Sequence, residues 1–171
     1  EDASGIAVGV VHDPTRDETF SAIRGRGATL NGRPLRVTEV SRLDEALLVT
    51  GFPYDAHTAE RNNLRQFGEF LTRARAVRRD GSAALDLAYV AAGRFDGFWE
   101  EGLSPWDVAA GSLLVSEAGG TVSGYHGEPL DLAARNCVCA APGIPAAMVD
   151  LLRGIEAEGT LPPLGSRRSA R

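Results

Sequence analysis

Two consecutive units of strand, tight turn and helix in the middle of the chain constrain its fold most. In the first unit, a predicted strand at 76–79 leads through Asp-Gly-Ser into a helix at 83–92. In the second unit, a strand at 95–100 leads through a Ser-Pro turn into a helix at 106–118. Ligands of open α/β sheets collect where strand ends meet helix starts, so the two corners are predicted to converge on one site. The pattern therefore predicts an α/β fold.

The second corner carries the acidic side chains of greatest interest. The strand brings Glu100 and Glu101 to its end, and Asp107 lies in the first turn of the helix. The free N–H groups and the dipole of a helix start favour negative charge, so Asp107 is predicted to stay ionised where a phosphate or a metal could bind. Two structural explanations stay open here. Acidic first turns also serve helix stability alone, and the neighbouring Trp106 can be a core residue.

Composition excludes several classes of function. The 171 residues are 43% hydrophobic and 24% charged, which suffices for one sizeable core. The net charge of −5 predicts no binding to nucleic acid or to anionic lipid. No apolar run approaches the roughly 20 residues of a membrane span, and no signal pattern precedes the first strand. We therefore expect a cytoplasmic protein.

The other elements follow from apolar periodicity and turn residues. An antiparallel hairpin is expected at 5–11 and 18–24, and Asn31-Gly32 marks a further tight turn. The remaining predicted elements are strands at 47–52, 121–125 and 136–141, an amphipathic surface helix at 58–75 and a final helix at 145–157.

Two other groups of residues are assigned to structure rather than to chemistry. Asp13 and Asp17 flank a proline turn, and turn chemistry explains them without a metal. Cys137 and Cys139 are two residues apart, so both side chains lie on one face of a strand. This spacing matches neither a redox pair nor a zinc site, and we predict two reduced, packed thiols.

Taken in order, these segments resemble the inositol monophosphatase family of magnesium-dependent, lithium-sensitive sugar phosphatases. Trp-Asp-Val-Ala-Ala-Gly at 106–111 and Glu-Ala-Gly-Gly at 117–120 are similar to the family's second signature motif. Further matching segments lie at 9–14, 25–32, 81–87 and 136–142. The resemblance implies a layered α-β-α-β-α sandwich of the inositol monophosphatase and fructose-bisphosphatase type. Residues 1–159 would form the C-terminal part of such a domain, and 160–171, without apolar periodicity, a disordered tail.

The resemblance also implies roles for the acids of the second corner. Asp107 matches the family's metal-binding aspartate, which helps to hold an activating Mg²⁺. Glu100 matches the acid that accepts hydrogen bonds from inositol hydroxyls. Glu101 alternates to the opposite face of the strand and is left out of the predicted site.

The first corner is similar to the helix start that lines the family's substrate pocket. Gly81, Ser82 and Ala83 are the matching residues, and an N-cap role for Ser82 is compatible with this. Arg78 and Arg79 precede the corner and could attract a phosphate. A solvated strand end explains them equally well, and they are not assigned to the site.

One departure from the family pattern limits the expected activity. The family's first motif, Asp-Pro-Ile/Leu-Asp-Gly-Thr, and the Glu-rich element before it supply most metal ligands, and neither occurs in this sequence. We therefore interpret the chain as a fragment, the C-terminal two-thirds of such an enzyme, and do not expect Glu1 to be the translation start. Since one Asp with waters binds Mg²⁺ weakly, this chain alone is expected to have little or no phosphatase activity.

The activity implied for the complete enzyme is Mg²⁺-dependent hydrolysis of a phosphate monoester of a polyol, such as inositol 1-phosphate. Relatives in the superfamily act on nucleotide bisphosphates, fructose 1,6-bisphosphate and histidinol phosphate, and a related phosphatase of this kind stays an alternative. Another alternative is a non-catalytic remnant that serves as a dimerisation or binding module. A homodimer is left open, and apolar surface is expected on one face of the remaining sheet.

Overall fold

In the part of the chain that the structure describes, two β-sheets and two pairs of α-helices alternate. The structure is a computed structural model that describes residues 5–157. The tail predicted at 160–171 lies outside the described residues. The layers run in the order sheet, helix pair, sheet, helix pair, because one helix pair contacts both sheets and the other contacts only the second. Residues 5–157 thus form an α/β fold with four of the five layers of the predicted α-β-α-β-α sandwich.

The first sheet is antiparallel, with strands in the order β1-β2-β3-β4. Its strands are β1 (Val8–Asp13), β2 (Glu18–Ile23), β3 (Ala28–Leu30) and β4 (Arg33–Pro34). Asn31 and Gly32 join β3 to β4 with φ angles of 48° and 79°, the left-handed conformation that a two-residue hairpin turn requires. The predicted tight turn is therefore confirmed.

The second sheet is mixed, with strands in the order β6-β5-β7-β9-β8. Its strands are β5 (Leu47–Thr50), β6 (Ala76–Arg78), β7 (Gly97–Glu101), β8 (Thr121–Ser123) and β9 (Asn136–Ala140). The strands β6 and β7 both pair with β5 in parallel, whereas β9 pairs antiparallel to β7. The carboxyl ends of β5, β6 and β7 therefore lie at one edge of the sheet.

Within residues 5–157, four α-helices cover the second sheet. They are α1 (Leu64–Leu71), α2 (Ala83–Ala91), α3 (Pro105–Glu117) and α4 (Pro145–Ala157). The pair α2 and α3 packs between the two sheets and is buried in the larger apolar cluster. The pair α1 and α4 packs on the other face of the second sheet around a second cluster that includes Phe70, Trp99 and Met148.

The predicted surface helix at 58–75 is wrong in its bounds. The helix α1 covers only Leu64–Leu71. Asn63, immediately before it, has a φ of 62°, so a helix cannot run through this residue. The preceding residues form turns instead, in which the N–H groups of Thr58 and Ala59 donate to the carbonyl of Asp55. The first strand is also displaced: β1 covers Val8–Asp13 rather than 5–11.

Several smaller predictions are confirmed. The Asp13 carboxylate accepts hydrogen bonds from Thr15, Arg16 and Tyr89, so it serves the turn. Cys137 and Cys139 are buried free thiols on one face of β9, with the two Sγ atoms 3.5 Å apart.

Two further observations concern the surface. Val8, Val10 and Ile23 are exposed on the outer face of the first sheet, where apolar surface was expected. None of the helices described in residues 5–157 combines the length and the apolar character needed to cross a bilayer.

Candidate active site

The carboxyl ends of the three parallel strands open onto one cavity of about 410 Å³. Its lining comes from the segment after β5, from the β6–α2 corner, from the β7–α3 corner and from Arg135. The residues in its wall are Gly51 to Asp55, Arg79, Gly81 to Ala84, Asp86, Glu100 to Leu103, Asp107 and Arg135. The predicted convergence of the two corners is therefore confirmed.

The β6–α2 corner presents backbone to the cavity. Gly81 has a φ of 95°, a conformation that residues with a Cβ rarely adopt, and it turns the chain into α2. Ser82 is the N-cap of α2: its Oγ accepts a hydrogen bond from the N–H of Leu85 at 3.5 Å. Ala83 begins the helix. The first N–H groups of a helix have no partner within it, so this corner can donate hydrogen bonds into the cavity.

The β7–α3 corner places Asp107 at the cavity while using it as a helix cap. The N–H of Ser104 donates to Oδ2 of Asp107 at 2.8 Å. The side chain is half-buried and lies in the cavity wall. The stabilising role and access to a ligand therefore coexist. Trp106 is 80% exposed, so the interpretation of this residue as part of the core is wrong.

Glu100 lies against the backbone of Gly51 in the cavity wall. A methyl carbon on Gly51 would lie 2.5 Å from Cδ of Glu100, so the absence of a side chain on Gly51 lets the carboxyl group lie this close to the backbone. Burial, and secondly the negative charge of Asp107, raise the pKa of Glu100 to about 7, against a smaller lowering by Arg79. Near neutral pH this group therefore exists both as an acceptor-only carboxylate and as a protonated acid that can donate.

Glu101, which was left out of the predicted site, lines part of the cavity, and its charge takes part in an ion pair. Its carboxylate forms an ion pair with Arg61, which also bonds Glu156 at 2.9 Å. Burial is the main cause that raises the pKa of Glu101. The partner of its carboxylate, Arg61, is not one of the residues that line the cavity.

Asp86 is a cavity residue that sequence reasoning missed. It is 1% exposed, and its Oδ1 has no hydrogen-bond partner within residues 5–157. Burial, followed by the charges of Asp80 and Glu100, raises its pKa to about 8. The available signal was its position three residues after Ala83, which places both on one face of α2. A neutral, unpaired acid in the wall of a cavity is a typical sign of a functional site.

Asn63 is a second residue that the sequence did not reveal. Its Nδ2 donates to the carbonyl of Gly51 at 2.6 Å and to Oγ1 of Thr50 at 2.9 Å. Its Oδ1 accepts from Nε1 of Trp99 at 2.7 Å. The fully buried amide thus ties the end of β5 to the strand that carries Glu100.

The acidic side chains of the cavity are of the type that binds a hard cation, but too few of those described lie together to form a complete site. Carboxylate oxygens are the ligands that Mg²⁺ prefers, and Asp86, Glu100 and Asp107 all line the cavity. Within residues 5–157, however, no three or more His, Cys, Asp or Glu side chains lie close enough to hold a metal ion. One oxygen of Asp107 already accepts the hydrogen bond from Ser104. The described residues therefore offer carboxylate oxygens to a hard cation but no complete set of ligands.

A mixed sheet whose parallel strands end in acidic strand-to-helix corners places the chain among α/β proteins with a ligand site at the carboxyl edge of the sheet. The family model described as the inositol monophosphatase family matches residues 2–156. The chain therefore belongs to the inositol monophosphatase family.

Individual relatives agree with this assignment. The chain is 53% identical over 125 residues to an inositol-1-monophosphatase of Synechocystis, which covers 73% of this chain and 44% of that protein. It is 49% identical over 146 residues to Nus factor SuhB of Escherichia coli, covering 85% and 55%. The structure of inositol monophosphatase from Anabaena (Nostoc) superposes with a TM-score of 0.85 at 45% identity, covering 92% of this chain and 60% of that one. The chain spans about half the length of the curated relatives it matches.

Proposed function

We propose that this chain forms the polyol-binding part of a Mg²⁺-dependent phosphatase that hydrolyses phosphate monoesters of polyols such as inositol 1-phosphate. The observation that carries the proposal is the convergence of Glu100, Asp107 and the start of α2 on one cavity. The Synechocystis relative, named an inositol-1-monophosphatase, supports the choice of substrate. The proposal treats residues 1–159 as part of one catalytic domain.

Asp107 is the proposed ligand of this chain for Mg²⁺. It faces the cavity and is held in place by the N–H of Ser104. Bound Mg²⁺ would neutralise the phosphate and lower the pKa of the attacking water. Since the described residues bring together no complete ligand set, we propose that the other ligands come from the part of the family length that this chain does not span.

The remaining proposed roles concern the polyol. Glu100 accepts hydrogen bonds from its hydroxyl groups when ionised, and the backbone at Gly81, Ser82 and Ala83 donates to substrate oxygens. Burial of Glu100 strengthens these bonds, because water competes less for a half-buried carboxylate. The two groups would orient the ester so that its phosphate faces Asp107.

Activity assays test this proposal directly. Turnover of inositol 1-phosphate with Mg²⁺ is measured for this chain, for a version extended to family length, and for the extended version with Asp107→Asn. We expect turnover only from the extended protein, and its loss in the variant. Comparable turnover from this chain alone would contradict the incomplete ligand set. No turnover from the extended protein would contradict the phosphatase itself.

A binding module without catalysis is the second candidate. The observation that favours it is the lack of three clustered metal-ligating side chains within residues 5–157. Calorimetric titration of the extended protein with Mg²⁺ separates the two functions. A phosphatase should show a site that is lost in Asp107→Asn, whereas a binding module should show none.

The partner and location assignments stay predictions. They comprise the lack of a nucleic-acid or membrane partner, a homodimer as an open alternative, and a cytoplasmic location. They are compatible with the proposed small-molecule substrate.

A further inference from the structure

Arg79 is a cation of the cavity wall that an aromatic ring holds in place. Its guanidinium carbon lies 5.3 Å from the ring centroid of Phe52, within the range of a cation–π contact. The ring of Phe52 in turn packs against Phe67, with centroids 5.6 Å apart. Both Arg79 and Phe52 line the cavity. The guanidinium is therefore placed by a ring face, which leaves the N–H groups at its edge available.

Within the described part of the chain, the charge of Arg79 has no acidic partner in contact with it. Among the residues described at 5–157, none forms a hydrogen bond or an ion pair with this guanidinium. Its charge nevertheless reaches Glu100, since Arg79 is the neighbour that lowers the pKa of that carboxyl. Arg79 thus lies on the side of the cavity that carries the proposed polyol-binding acid.

Two other arginines near the cavity each differ from Arg79 in at least one of these respects. Arg135 lines the cavity, but its guanidinium already donates to the carbonyl of Gly102 at 2.9 Å. Arg78 is exposed, as Arg79 is, but it lies outside the cavity wall, and its guanidinium donates to the carbonyl of Val77 at 3.3 Å. Arg78 is the last residue of β6, whereas Arg79 follows the strand and belongs to the β6–α2 corner.

An anionic group on the polyol would meet repulsion over most of this cavity. Glu100 and Asp107 line it, and a further negative charge near their carboxylates is unfavourable unless a cation intervenes. The positive charge of Arg79 offsets this repulsion next to its guanidinium. A guanidinium presents a planar fork of donors that matches the two oxygens of a carboxylate or of a phosphate.

We propose that Arg79 forms an oxyanion subsite beside Glu100, which selects polyol phosphates that carry a second anionic group, a carboxylate or a phosphate. This inference rests on the proposed function and names its substrate class. The phosphate to be hydrolysed faces Asp107, and the second anion pairs with Arg79.

Matched ligand pairs test the subsite by calorimetric binding to the 171-residue chain. Glucitol 6-phosphate and 6-phosphogluconate differ only in a terminal hydroxymethyl or carboxylate. Inositol 1-phosphate and inositol 1,4-bisphosphate provide the arm with a second phosphate. For at least one pair, we expect the doubly anionic ligand to bind about fivefold more tightly, the size of an exposed ion pair. Arg79→Gln should abolish the preference, and Arg79→Lys should retain part of it.

Arg78→Gln is the matched control, because it removes the same charge one residue away and outside the cavity wall. It should keep the fivefold preference. Equal affinities within both pairs in the unmodified chain, or a preference that survives Arg79→Gln, would overturn the subsite. If none of the four ligands binds, both the proposed polyol-binding role of the chain and the Arg79 subsite are refuted. Binding without a preference for the doubly anionic ligands refutes the subsite alone.

Discussion

Replacing Gly51 by alanine displaces Glu100 without changing any charged residue. The new methyl carbon would lie 2.5 Å from Cδ of Glu100, where ordinary contact begins at 3.4 Å. The carboxyl group must therefore move by about 1 Å, and the open direction is into the cavity. Gly51 is not among the glycines with positive φ, so alanine fits its backbone.

The displacement has a calculable effect on the ionisation of Glu100. Burial is the main cause that raises its pKa from 4.5 to about 7. One pKa unit corresponds to about 1.4 kcal/mol, so the folded protein opposes the charge by about 3 kcal/mol. Since the folded state holds this proton more tightly than the unfolded one, the free energy of unfolding falls as pH rises from 4.5 to 7. In Gly51→Ala the carboxyl group is more hydrated, so the pKa of Glu100 should be lower. The free energy of unfolding should then change less between pH 4.5 and 7.

Two measurements check the effect. A ¹³C NMR titration of the carboxyl groups gives the pKa of Glu100, and urea denaturation at pH 4.5 and pH 8 gives the change in the free energy of unfolding. Gly68→Ala is the control, because it lies within α1 with no atom within 4 Å of the added methyl carbon. A Glu100 pKa that stays near 7 in Gly51→Ala, or that falls equally in Gly68→Ala, would refute the reasoning.

Three further predictions use denaturation and fluorescence. Asp86→Asn should remove a fall in the free energy of unfolding between pH 3.8 and about 8, because the folded state keeps this acid protonated; an unchanged pH profile would contradict it. Asn63→Gly should lower the free energy of unfolding, measured by urea denaturation, by about 2 kcal/mol, because three buried partners lose their hydrogen bonds. It should also shift the fluorescence emission of Trp99, measured in a Trp106→Phe background. Asp107→Asn should cost about 1 kcal/mol through the weakened cap, and an unchanged urea midpoint would argue against that cap.

The bounds of α1 show where local patterns fail. Apolar spacing predicted a helix over 58–75, yet the helix begins only after Asn63. The positive φ of Asn63 is held by bonds to Thr50, Gly51 and Trp99, which lie 12 to 36 residues away in the chain. Spacing within one segment contains no information about such distant partners. By contrast, α4 begins and ends where its periodicity predicted, at Pro145–Ala157.

The residues of the candidate site also fall into two groups, those that local sequence preferences predict and those that depend on tertiary packing. The corner residues Ser82 and Asp107 could be predicted because turn and cap preferences act over three or four residues. Asp86 could not, since a charged residue in a helix is ordinarily assigned to a solvated face. Only the position of α2 between two sheets buries this acid.

The sequence by itself determined the two strand–turn–helix units, the tight turns and the acids at the helix starts, because these depend on neighbours within one or two turns of chain. The tertiary structure decided which acids share a cavity and which are shielded from water. It places Glu100 against Gly51, buries Asp86 and leaves Arg79 on a ring. The physical reason is that burial and the charges of distant segments set the pKa and the partners of an ionisable group, and both arise only when the layers pack.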